Sequence, residues 1–91
     1  MKLNVKALAD SYTDNLINLV PISFIYKNSG KESIGLLADN VAEYYPVIAS
    51  DNDGITCRVN YELLSVLLLH YIKKQQSQIT DLEFRIEQLE K

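Results

Sequence analysis

The sequence holds one histidine, His70, and one cysteine, Cys57, thirteen positions apart. A Cys–His nucleophile needs a third group to orient its base, and none is signalled for this pair. A packed histidine and an inert thiol are the ordinary roles for both. A structural zinc needs a Cys/His set of about four ligands, so no metal centre is expected. Ser50-Asp-Asn-Asp-Gly54 has the flavour of a calcium loop. That loop needs a ligand five residues before its glycine and a Glu six after it, and those positions hold Ala49 and Asn60. The segment therefore reads as a turn. Gly30, Gly35 and Gly54 are isolated, so no phosphate-cradling loop is present and no cofactor is expected.

Charge removes further classes. Nine Lys and Arg against 12 Asp and Glu give a net charge of −3, without the basic surface that nucleic acid requires. From Asp39 to Glu62 there are five acids and the single base Arg58. The uncharged run Leu63 to Ile72 is too short to span a bilayer. No apolar stretch follows Met1-Lys2, so no signal peptide is expected. Hydrophobic content of 47% argues for a folded chain.

Ninety-one residues make one domain with a thin core. One cysteine excludes an internal disulfide and suits a reducing compartment. With disulfide and zinc removed, a second copy of the chain is the expected support.

The expected elements run as follows. Asp10 or Ser11 caps a short helix whose apolar side is Leu16, Ile17 and Leu19, and Pro21 stops it. Ile22–Tyr26 and Ser33–Leu37 flank Asn28-Ser-Gly30 and read as a β-hairpin. Asp39 caps a two-turn helix through Val41, Ala42 and Tyr44, ended by Pro46. Ile55 to Val59 reads as a third short strand. A long helix then starts at the Asn60 cap, with Glu62 near its positive end and Val59 and Leu64 as a hydrophobic staple. No Pro or Gly follows, so it can run almost to Lys91, about 45 Å. The fold class is thus α+β, a 2–59 body with a 60–91 helix.

That helix changes character along its length. From Leu63 to Ile72 it is apolar nearly all round, the mark of burial on most sides. From about 72 a heptad seam emerges. Ser65, Ile72, Ile79 and Ile86 fall at a; Leu68, Gln75, Leu82 and Leu89 fall at d. Arg85 and Glu90 stand at g and the following e, placed for an interchain pair in a parallel coil. Ile at a with Leu at d favours two strands, and Gln75 puts an amide in the seam. Phe84 falls at f, away from it.

The order of several residues resembles a known family. The run is Leu19-x-Pro21-Ile-x-Phe24-x-Tyr26, then Ile34-Gly35-x-x-Ala38-x-x-Val41-x-x-Tyr44-x-Pro46, then Val59-Asn60-Tyr61-x-x-Leu64. Followed by a coiled-coil tail, it is similar to the C-terminal intramolecular chaperone domain of endosialidases. The same domain ends other phage tail spikes, tail fibres and neck appendages, and occurs in myelin regulatory factors. The likeness covers roughly residues 2 to 91. Asp39, Tyr44 and Asn60 depart from the family's usual Gln or Glu, Phe, and Asp.

The resemblance implies a function that composition does not. The family's domain trimerises and folds the fibre or spike upstream of it, then releases itself at a Ser-Asp bond. Its Ser–Lys pair lies in Ser-Asp-x-Arg-x-Lys, usually followed by x-Asn-Ile. Here Lys2-Leu-Asn4-Val matches the end of that motif. Lys2 would be the dyad lysine, a general base only if its pKa is lowered. The serine would precede the sequence, so the chain as given would not cleave itself. The implied partners are two further copies, with a dimer second, and the upstream polypeptide as client. The implied place is the cytoplasm of the producing or host cell, the domain not being retained in the mature virion. A bare oligomerisation module without a client is the main alternative. An enzyme with a composite site at a subunit interface is a remote one.

Overall fold

The computed structural model describes residues 1–50, 56 and 58–90. It is a small α+β fold: a 3₁₀ helix at Asp10–Asn18, a β-hairpin, a short α-helix, a 3₁₀ turn at Pro46–Ile48, and one long helix. Its extents are 62 × 39 × 21 Å. The radius of gyration is 17.8 Å, against about 12 Å for a compact chain of this length. The difference is the long helix, which outruns the body.

The first helix is not α-helical. Its sequence, Asp-Ser-Tyr-Thr-Asp-Asn-Leu-Ile-Asn, is rich in side chains that compete for backbone hydrogen bonds and weaken an α-helix. A 3₁₀ helix has three residues per turn, so every third side chain shares a row. Thr13 and Leu16 are buried and Leu19, just past its end, is half-buried, while Ile17 is exposed. The expected apolar side of Leu16, Ile17 and Leu19 assumed a period of 3.6 and is corrected on Ile17. The expected cap is also corrected: Ala9 holds the cap position, and no side chain caps the first turn.

Strand β1 (Ile22–Ile25) pairs antiparallel with β2 (Glu32–Gly35), Ile22 opposite Gly35 and Ile25 opposite Glu32. Both strands are a little shorter than the sequence suggests. Beyond them the Tyr26 amide donates to the Lys31 carbonyl at 3.0 Å, and Gly30 donates to Tyr26 at 2.8 Å. Gly30 has φ +70°, left-handed backbone that glycine adopts without cost. Alternation puts Ile22 and Phe24 toward the body and leaves Ile25 and Ile34 exposed.

Helix α1 (Ala38–Tyr44) ends at Tyr45, and Pro46 opens the next 3₁₀ turn, where a missing N–H costs nothing. Leu37, not Asp39, holds the cap position; Asp39 lies in the first turn, near the positive end of the helix. Of the expected third strand, Ile55 and Cys57 lie outside the described residues, as do Asp51–Gly54 of the turn. Thr56 forms a single antiparallel bridge with Ser50.

Helix α2 (Tyr61–Glu90) has 30 residues. The core is one cluster joining the 3₁₀ helix, α1 and the 3₁₀ turn to its first turns: Leu16, Val41, Tyr45, Ile48, Ala49, Val59, Leu64 and Leu67. Val41 is fully buried. Among the described residues, no helix is long and apolar enough to cross a membrane.

Candidate assembly surface

The start of α2 is fixed from three directions. The Asn60 side chain accepts from the Leu63 amide at 3.1 Å, the expected cap. The Asn60 amide donates to the Ile48 carbonyl at 2.7 Å, tying the cap to the 3₁₀ turn. Val59 and Leu64, the staple positions, are both buried in the core.

The body then holds the helix along one side. Leu64 and Leu67 enter the core, and Tyr71 packs against it. His70 Nδ1 lies 2.7 Å from the Thr13 hydroxyl, and Thr13 is fully buried, so His70 is a packed histidine that anchors the 3₁₀ helix. Lys74 makes the last attachment. Its ammonium donates to the Asp14 carboxylate and to the Asp10 carbonyl, each at 2.7 Å. From Gln75 to Glu90 every residue is exposed.

The heptad positions lie off this attached side. Leu68, Ile72, Gln75, Ile79, Leu82, Ile86 and Leu89 are all exposed, the six apolar ones by between 44% and 85%. Within Leu63–Ile72 only Leu64 and Leu67 are buried; Leu63, Val66, Leu68, Leu69 and Ile72 are exposed. Burial on most sides is therefore not supplied by the described residues of the chain, whose body covers one face only. Arg85 pairs with Asp81 one turn back, at 3.0 Å. Glu90 is exposed, and Phe84 is also exposed. The chain exposes 7884 Å², about 2,500 Å² more than a compact monomer of 10.4 kDa.

A second cluster joins this helix to the hairpin. The Tyr61 hydroxyl accepts from the Leu36 amide at 3.0 Å, just past the end of β2. A Cβ at Gly35 would lie 2.7 Å from that hydroxyl and 3.6 Å from Phe24. Gly35, Phe24 and Tyr61, quoted separately from three parts of the sequence, thus meet at one joint. Counting back from Leu68, Tyr61 is itself a d position. Sequence reasoning put Tyr61 in a motif but missed this contact; the matching signal was a glycine where a strand would favour a side chain.

The other quoted residues serve the body. Ala38 and Val41 pack in or against the core, Pro21 precedes β1, and Pro46 opens the 3₁₀ turn. The Val20 amide donates to Asn40 at 2.9 Å. Tyr45 is buried, donates to the Tyr12 carbonyl at 2.8 Å, and has its phenol pushed above the usual tyrosine range by that burial. Lys2 and Asn4 lie on an exposed N-terminal arm, Asn4 with φ 55°. Among the described residues, no group of three His, Cys, Asp or Glu side chains could hold a metal. Comparison with known proteins found no matching family model, no matching curated protein and no matching solved structure.

Proposed function

We propose that this chain is an assembly module of the intramolecular-chaperone type. Three copies associate in parallel through the exposed a and d side chains of α2, and the bodies preorganise the polypeptide joined to them. One observation carries this reading: a 30-residue helix attached to its own body only as far as Lys74, with its apolar seam on a different side. Burying six seam side chains that are roughly half exposed is worth on the order of 5–10 kcal/mol per chain before association costs. The surplus surface of about 2,500 Å² per chain is the scale of an obligate interface.

The ordered motif residues support the finer reading. In it the body folds and trimerises a fibre or spike segment and is then released at a Ser-Asp bond, with Lys2 as the dyad lysine. The exposed arm suits a lysine that acquires its serine from residues outside this sequence. Chemistry is confined to that release step.

Sedimentation equilibrium at tens of micromolar tests the assembly. A trimer is expected; a monomer refutes it, and a dimer favours the Ile/Leu pattern over the family likeness. A fusion to the upstream polypeptide of the same gene tests the chaperone role. Deleting residues 2–59 should abolish productive folding of that client. Retained folding on α2 alone would reduce the domain to a bare oligomerisation module. Cleavage that survives Lys2→Ala would remove the role of Lys2.

A further inference from the structure

The first three turns of α2 carry three apolar directions, and only two are accounted for. Leu64, Leu67 and Tyr71 face the chain's own body. Leu68 and Ile72 belong to the seam, about 90° to one side at roughly 100° per residue. Leu63, Val66 and Leu69 form a separate i, i+3, i+6 row about 130° to the other side. They are 43%, 54% and 60% exposed.

We infer that this Leu63–Val66–Leu69 flank is the docking surface for the body of a neighbouring copy. The inference rests on the self-association proposed above and adds a second, distinct contact to it. The geometry supplies the occupant. With the seam turned to a common axis, each chain's body lies to one side around the ring, and its flank faces the other way. Every body therefore meets the flank of the next copy, a head-to-tail contact that a closed ring repeats without remainder. The body offers apolar side chains for it, since Ile17, Val20, Leu37 and Val47 are exposed. The area agrees. Two to three heptads of seam are too little surface to absorb a surplus of about 2,500 Å² per chain.

The test places a photo-crosslinking amino acid at position 66 in a mixture of light and heavy-isotope chains. Inter-copy products are read by mass spectrometry. Crosslinks into residues 10–20 or 36–48 of another copy are expected. Crosslinks only into residues 61–90 of another copy, or none between copies, overturn the inference. The companion measurement compares Val66→Ser/Leu69→Ser with Ile79→Asn/Leu82→Asn by sedimentation. Both should raise the dissociation constant at least tenfold. Assembly lost only in the seam variant removes the flank contact and leaves self-association standing. A monomeric parent chain removes both.

Discussion

Gly35→Ala should destabilise the domain, and Tyr61→Phe should rescue it. A methyl group at position 35 would stand 2.7 Å from the Tyr61 hydroxyl, closer than any real Cβ contact. The ring must tilt away, and the Leu36 amide then loses its acceptor at 3.0 Å. Losing that hydrogen bond costs about 1 kcal/mol, and forced repacking about 1–3 kcal/mol. Against this, Ala in a strand is better than Gly by about 0.5–1 kcal/mol. The net loss is about 1–3 kcal/mol, a fall in Tm of roughly 5–15 °C for a domain of this size. In the Tyr61→Phe background the obstructing oxygen is gone. The remaining neighbours, Phe24 at 3.6 Å and the ring carbon of residue 61 at 3.8 Å, are at ordinary contact distance. There Gly35→Ala should be neutral or stabilising by a few tenths of a kcal/mol. The assay is thermal and urea unfolding followed by circular dichroism, at one fixed protomer concentration because assembly contributes to stability. A double-mutant cycle should give a coupling of about 1.5–3 kcal/mol. Equal costs for Gly35→Ala in both backgrounds would refute the claim that the tyrosine hydroxyl is what demands glycine.

Four further outcomes are expected. Asn60→Ala removes the acceptor for the Leu63 amide and should cost about 1 kcal/mol in the same melts. Thr13→Val leaves the His70 ring nitrogen without its partner at 2.7 Å and should cost about 1–2 kcal/mol; an unchanged Tm would show the bond to be dispensable. Gln75→Leu should raise the Tm and make it depend more steeply on concentration, because an amide leaves the seam. Burial raises the Tyr45 pKa, so the folded state holds the phenol proton more tightly than the unfolded one. That stability is present below the ordinary tyrosine value of about 10 and is lost as pH rises through the folded value. Urea midpoints from pH 8 to 11 should fall less in Tyr45→Phe than in the parent chain.

The parts legible in the sequence are those set by one local rule. Asn60 announces a helix start because its side chain competes for the first free amides, and the absence of Pro and Gly lets α2 run to Glu90. The hairpin is legible from β-branched runs around Gly30. Asp10, Ser11 and Asp39 misled because a capping residue is only permissive. Ala9 and Leu37 hold those positions without any side-chain cap. Ile17 misled because the period was three and not 3.6. The Gly35–Tyr61 joint was half legible: a glycine in a strand marks a close approach, but two residues 26 apart do not declare each other through composition. The apolar girdle of Leu63–Ile72 was legible as a need for cover, but not as to whose side chains would provide it.

The 3₁₀ helix has a metric consequence. Three residues of 3₁₀ helix advance about 6 Å, and four residues of α-helix advance the same distance. Along the contact, Thr13 meets His70 and, three residues earlier, the Asp10 carbonyl meets Lys74, four residues later. For these two contacts the repeats are commensurate, like a pair of rulers with different divisions and a shared mark. An α-helix in the same place would advance only about 4.5 Å over those three residues and fall out of step within one turn. One residue inserted between Asp10 and Thr13 would put the Asp10–Lys74 contact out of step with Thr13–His70, so the length of that segment is constrained more tightly than its composition.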